Sequence, residues 1–284
     1  MIPAPFDYQR ATSLDDAFAK IRAANGAGKF IAGGHSLVPV MKLRLSEPAV
    51  LIDIARIPGL SGIRQQGDTI EIGAATVHHE VATSALLQKV CPMLADTAAT
   101  IGDPQVRNRG TLGGSLAHAD PAGDMPAAIL AVDAELKASG PSGERWIKAE
   151  DFFVGFLTSA LEADEILTEI KVPIKSGGKS VYLKAAQRAS GFAVVGVAVR
   201  LTVANGNCND IAIGITGVTD KAYRAKNVEQ ALKGKKLEAE LIERAALRVV
   251  DGVDLLEDIN GSKDYRAHLA RVYTARAIKA ALAT

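Results

Sequence analysis

The 284-residue chain has only two cysteines, Cys91 and Cys208, and no CxxC spacing. A four-cysteine metal or iron–sulfur centre is therefore excluded, and a disulfide framework is not expected in so long a chain. Charge of either sign in excess is also lacking, since the formal net charge is +1. A nucleic-acid partner would call for a basic surplus or stripe, so none is expected. No apolar run approaches the length that spans a bilayer. The opening segment MIPAPFDYQR has no basic stretch followed by an apolar one, so no export signal is expected and the cytoplasm is the expected compartment. The sequon Asn260-Gly261-Ser262 then reads as chance, with Ser262 serving as a helix N-cap.

Familiar nucleotide motifs are missing too. Gly26-Ala27-Gly28 runs into Lys29, Phe30 and Ile31 instead of a third glycine, which breaks the Rossmann fingerprint. Gly178-Lys179-Ser180 looks like the end of a P-loop, but Pro173 stands where its first glycine belongs. No Ser–His–Asp set or carboxylate pair stands out, so no catalytic residue and no metal ligand is assigned.

What is present is globular: 48% of residues are hydrophobic and 23% charged. Ser13 and Asp16 form a capping box before Leu14, Ala17, Phe18 and Ile21 at helical spacing, and Asn25-Gly26 marks the stop. Strands are expected at 29–31, 50–54, 69–73 and 166–173, and again at 181–185, 193–203 and 211–218. Pro92 suits the first turn of a helix ending near Ile101. Residues 103–124 read as a long irregular loop, uncommon in a compact domain and often functional. The last helix is expected to turn Tyr265, Leu269, Val272, Ala275 and Leu282 inward. Lys175-Ser176-Gly177-Gly178-Lys179 is the best linker candidate. The expected domains are thus 1–177, itself divided near 56, and 178–284.

The features with chemistry in them are two glycine pairs 80 positions apart, in Ala32-Gly33-Gly34-His35-Ser36 and Thr111-Leu112-Gly113-Gly114-Ser115. Without a Cβ, successive amides can converge on one point, and such concave rows bind phosphate. Two turns could hold the two phosphates of a dinucleotide from opposite sides. Ser36, Thr111 and Ser115 would add hydroxyls, and Arg107 and Arg109 positive charge. Either pair alone is more often an ordinary tight turn; together, with these flanks, they favour a phosphate clamp. His35 is expected to line it. His78 and His79 are expected on the surface, and Cys91 and Cys208 as small buried hydrophobes. His118 and Asp120 read as loop residues rather than metal ligands.

The stretches IAGGHSLVPVMKLRL and DPQVRNRGTLGGSLAHADPAGDMPAAILAVDA, with MIPAPFDY and YLKAAQRASGFAVVGVAV, closely resemble the FAD-binding medium subunits of molybdenum hydroxylases. Those subunits serve carbon monoxide dehydrogenase and xanthine dehydrogenase-type complexes. The resemblance implies an α+β fold with a two-part FAD domain of the vanillyl-alcohol-oxidase and p-cresol-methylhydroxylase type. A smaller domain of a three-stranded sheet plus helices follows. It implies non-covalent FAD here, with molybdopterin on a large partner subunit and two [2Fe–2S] clusters on a small one. Dimers of such heterotrimers, heterohexamers in all, are implied, with electrons passing from molybdenum through the clusters and FAD to an external acceptor.

Residue by residue, the resemblance gives Ala32, Gly33, Gly34, His35 and Ser36 to the pyrophosphate, with Thr111, Gly113, Gly114 and Ser115. Leu37, Ile101, Gln105, Val106 and Gly110 line the same pocket. Asp124 bonds adenosine or ribityl hydroxyls. Leu161 and Ile166 pack near the isoalloxazine, with Lys184 and Phe192 at its other side. Ser190-Gly191 replaces the Gly-Asp common before the aromatic residue in carbon monoxide dehydrogenases, and Ser115 replaces Asn or Asp, so the substrate stays open. Two cysteines cannot supply the extra [4Fe–4S] cluster of the benzoyl-CoA reductase branch. A stand-alone flavin oxidase or reductase of the same superfold is the alternative, though the C-terminal part is poor in candidate bases. A flavin-free scaffold is disfavoured by the intact turns.

Overall fold

The computed structural model describes residues 1–175 and 177–284. Ser176, in the middle of the expected linker, lies outside the described residues.

The chain begins with a small parallel sheet whose strands Asp7–Arg10 and Gly28–Ile31 flank Val50–Asp53. Helix Leu14–Ala23 covers it, capped by Ser13, whose hydroxyl accepts from the Asp16 amide. Asn25 and Gly26 both have positive φ, 48° and 82°, and release the chain into the second strand. Ala17, Phe18, Ile21 and Ile52 close this core together with Ile57, Leu60 and Ile166.

Parallel pairing gives way to antiparallel between Asp53 and Ile63. A five-stranded sheet follows, in the order Ile63–Gln66, Thr69–Gly73, Ile166–Pro173, Glu135–Gly140, Gly143–Lys148. Helices His78–Thr83, Ala85–Val90, Pro92–Ala99, Leu112–His118 and Asp124–Ala131 pack on it around Ile70, Ile72, Leu94, Leu112, Met125 and Phe152. Residues 103–124 are not the expected irregular loop. Asp103 caps a short helix at Pro104–Arg107, and Thr111 caps Leu112–His118 by accepting from the Gly114 amide. Polar composition masked two well-capped helices.

The C-terminal part is an antiparallel sheet of three long strands, Lys179–Ala186, Ala193–Ala204 and Asn207–Thr216, with the two-residue strand Tyr223–Arg224 at its edge. One face carries helices Lys226–Leu232, Ala239–Ala246 and Lys263–Ala283. Ser262 caps the last of these by accepting from the Tyr265 amide. The expected inward face of that helix is partly wrong, because Tyr265 is half exposed and Ala267, Ala270, Ala277 and Ala281 are buried. Small side chains let the helix lie close on the sheet. Arg266 is buried with them because Val194 O and Gly217 O accept from its guanidinium at 2.7 and 2.5 Å and Asp258 pairs with it.

The other face of this sheet rests on helix Asp124–Ala131, every residue of which is buried. The fit is close: a Cβ on Gly214 would collide with the Ala127 carbonyl. Two carbonyls just before that helix, Pro121 O and Gly123 O, accept from the Thr216 hydroxyl at 2.6 and 2.8 Å. Among the described residues no helix is long and apolar enough to cross a membrane.

Candidate functional site

A cleft of about 550 Å³ opens where the parallel sheet, the antiparallel sheet and the C-terminal strands meet. Both glycine pairs border it. They also touch each other: the α-carbon of Gly33 faces the Arg109 carbonyl so closely that a Cβ there would collide with it and lie 2.9 Å from Gly110 Cα. Backbone 76 positions further along the chain (33 to 109) therefore returns to contact.

The two turns are chemically unequal. Strand Gly28–Ile31 ends, Gly34 takes φ +77°, and helix Leu37–Lys42 begins. Among the described residues, nothing accepts a hydrogen bond from the amides of Gly33, Gly34, His35 or Ser36. That row is the anion cradle expected of both pairs. At the second pair the amides are already used. Leu112 donates to Thr76 O at 2.9 Å, Gly113 to Ala74 O at 2.8 Å and Gly114 to Thr111 Oγ1 at 3.0 Å. The second turn thus corrects the symmetrical expectation, offering the hydroxyls of Thr111 and Ser115 rather than free amides. Gly113 is needed for another reason, since its Cβ would meet Ala74 O at 2.7 Å.

Arg107 does not reach into the cleft. Its Nη1 donates to Ile101 O at 2.9 Å and Gly102 O at 3.2 Å, so its charge fixes the loop under Ile101. Arg109 stays exposed.

Asp124 opens the buried helix and lines the cleft with 5% of its surface exposed. Two residues of the C-terminal sheet grip its carboxylate: the Tyr182 hydroxyl donates to Oδ1 at 2.5 Å, and Lys184 Nζ to Oδ2 at 3.0 Å. Burial raises the pKa of Asp124 against the opposing pull of Lys184 and Tyr182. The Tyr182 phenol is pushed well up, by burial first and by the Asp124 charge second. Each carboxylate oxygen keeps a lone pair for a hydroxyl in the cleft.

Lys184 is where the expectation departs most from the structure. Its ammonium also donates to Thr100 O at 3.0 Å and Gly191 O at 2.7 Å, so all three protons are taken and it does not line the cleft. Gln105 likewise lies outside, exposed on the short helix Pro104–Arg107. Every other expected site residue borders the cleft. Leu161, Ile166 and Phe192 add apolar surface to its lining, Phe192 being 47% exposed.

Sequence reasoning missed three neighbours. Leu157, at φ 50° on the turn between strands Phe153–Gly155 and Thr158–Ser159, extends the apolar rim. Tyr182 holds Asp124. His78, expected on the surface, lines the cleft and is 4% exposed. Burial chiefly, then the nearby His35, holds its pKa down to about 4. No short-range signal marked His78, because its burial comes from the return of Gly110: the His78 amide donates to Gly110 O at 2.9 Å.

A free amide row, flanking hydroxyls, a buried carboxylate and apolar lining suit a diphosphate-bridged molecule with a sugar and a flat ring system. The comparisons name such a molecule. The family model described as "FAD binding domain in molybdopterin dehydrogenase" matches residues 4–175. That of "CO dehydrogenase flavoprotein C-terminal domain" matches residues 180–281. The chain is 39% identical to the carbon monoxide dehydrogenase medium chain of Hydrogenophaga pseudoflava, covering 100% of this chain and 99% of that one. It is 37% identical to the glyceraldehyde dehydrogenase medium chain of Sulfolobus acidocaldarius, covering 98% and 99%. Among solved structures, a carbon monoxide dehydrogenase from Hydrogenophaga pseudoflava that lacks the Mo-pyranopterin moiety matches with a TM-score of 0.97. The identity there is 41%, over 100% of this chain and 99% of that chain.

Proposed function

The chain belongs to the FAD-binding medium subunits of the molybdenum hydroxylases, and on that footing we propose that it is the flavin-carrying electron-transfer subunit of such a complex. It accepts electrons from [2Fe–2S] clusters on a small subunit and passes them to an external acceptor, while a large molybdopterin subunit oxidises the substrate. Two such heterotrimers pair, and the complex works in the cytoplasm. FAD, once bound, supplies both one- and two-electron redox chemistry.

The observation that carries the reading is the row of four unpartnered amides, Gly33 to Ser36, on a cleft that apolar side chains also line. These amides and the Thr111 and Ser115 hydroxyls hold the diphosphate without covalent attachment. Asp124 accepts from a sugar or ribityl hydroxyl, its orientation set by Tyr182 and Lys184. Leu161, Ile166 and Phe192 flank the ring system and keep water from it. Relatives named for carbon monoxide and for glyceraldehyde are almost equally similar to this chain, at 39% and 37%. That supports a subunit in which the substrate is not encoded.

Purification from its own cells tests the reading. The expected result is a yellow protein that releases flavin on acid precipitation and travels with molybdenum- and iron-containing subunits. A colourless chain that takes up no added FAD would overturn it.

A further inference from the structure

His78 is a nearly buried ionisable side chain of the cleft lining that the site has so far left without a task. It opens helix His78–Thr83, and its ring takes the space a side chain on residue 110 would need, with Cδ2 3.1 Å and Nε2 3.6 Å from the Cβ position of Gly110. Gly110 is the residue whose backbone meets Gly33, so the ring sits directly behind the contact between the two turns. Its two nitrogens are not equivalent. Nδ1 is sealed from solvent with no hydrogen-bond partner, whereas Nε2 also lacks a partner in the chain but is not sealed.

A buried N–H with no acceptor is the rarer and costlier orphan, and a buried lone pair is better tolerated. The single proton of the neutral ring therefore belongs on Nε2, which leaves Nδ1 as the silent lone pair. The imidazole is uncharged near neutrality because burial holds its pKa down to about 4. Two cations beside the site are engaged elsewhere: Arg107 serves the Ile101 and Gly102 carbonyls, and Lys184 serves Asp124, Thr100 and Gly191.

We propose that His78 is a neutral hydrogen-bond donor, through Nε2, to the diphosphate of the bound dinucleotide. The inference rests on the flavin reading above and adds to the amide row a side-chain donor from the antiparallel half of the site. It also gives a reason for a buried orphan nitrogen, since the ring is held in the tautomer that binding requires.

The test uses the full chain freed of flavin, titrated with FAD and separately with ADP, which shares only the diphosphate-bearing half. His78→Phe removes the donor, His78→Asn moves it back toward the Nδ1 position, and His78→Gln keeps an N–H near Nε2. Phe and Asn are expected to weaken FAD and ADP alike by about tenfold, as loss of a hydrogen bond to a charged group does, with Gln within about threefold of wild type. In histidine labelled with ¹⁵N, Nε2 is expected to carry the proton and its resonance to move when FAD is added. Wild type that binds FAD while Phe and Asn match it, a loss confined to FAD, or a proton on Nδ1 would each overturn the role of His78 alone. A wild-type chain that binds no FAD would instead overturn the flavin reading beneath it. Should the variants fail to fold, the labelled wild-type spectrum decides.

Discussion

The α-carbon of Gly33 rests on the carbonyl oxygen of Arg109, a backbone-to-backbone contact with no room for a methyl group. Neither partner is the end of a flexible side chain, so neither can swing aside. Gly33→Ala is expected to pry the two turns apart, at roughly 1–3 kcal/mol as overpacking does, and to weaken FAD retention at least tenfold. Gly33→Val should abolish it. At Gly114 the obstacle is only Thr111 Oγ1, 2.6 Å from a Cβ, which can rotate once it gives up its cap. Gly114→Ala should therefore cost about 1 kcal/mol, the worth of an N-cap, and leave more flavin bound. Thermal melts and flavin absorbance after gel filtration would rank the pair; equal loss in both would contradict the geometry.

Lys184 and Asp124 are an ion pair with side-chain exposures of 10% and 6%. Lys184→Met leaves the carboxylate buried without its cation, and truncating one partner of such a pair costs about 3–5 kcal/mol. The loss should appear as a lower melting temperature, and FAD should also weaken because Asp124 is no longer oriented. Adding Asp124→Asn to Lys184→Met should restore a good part of the stability but not the flavin affinity. A double mutant whose two losses simply add would show that the residues are not coupled.

The glycine pairs, the helix caps at Ser13 and Ser262 and seven of the fourteen described strands were legible because each is written in a few adjacent residues. What stayed hidden depends on distant chain. The amides of Leu112 and Gly113 looked free until Thr76 O and Ala74 O were seen to take them. Lys184 looked like a cation for the ligand because its three internal acceptors, at 100, 124 and 191, are far apart in sequence. Asp103 and Thr111 cap the two short helices inside 103–124, but the density of glycine and proline there made the segment read as a loop.

Asp133 ties the two halves together from a left-handed backbone conformation, φ 55°. It accepts from Arg200 at 2.8 Å and from Arg224 at 2.6 Å, both nearly buried on the C-terminal sheet, and from Lys175 at 2.5 Å. Arg200 keeps Asp210 and Arg224 keeps Glu229 as second partners, so Asp133→Asn removes charge without stranding either. It should cost about 1–3 kcal/mol, the scale of hydrogen bonds to charged groups. Asp133→Leu, which also forces a branched side chain into positive φ, should cost more. Urea melts followed separately by Trp146 fluorescence and by far-ultraviolet dichroism would show it. The two probes should part in the leucine variant if this tie couples the halves.

Acid should loosen the fold through His78. Its pKa is about 4 in the folded chain against an ordinary value of 6.5, because the ring is buried. Between those values the unfolded chain binds a proton that the folded chain refuses, so stability rises with pH across this window and falls on acidification through it. The full difference is about 3 kcal/mol, reached near pH 4 and absent above about pH 7. Asp124 pulls the other way over part of the range, since its raised pKa means that the folded chain takes up a proton before the unfolded one. Its contribution therefore favours the folded state as pH falls. His78→Gln cannot titrate and should flatten the fall in melting temperature between pH 6.5 and 4.5, whereas Asp124→Asn should steepen it. A His78→Gln profile parallel to that of wild type would mean that the ring is not the group that meets the acid.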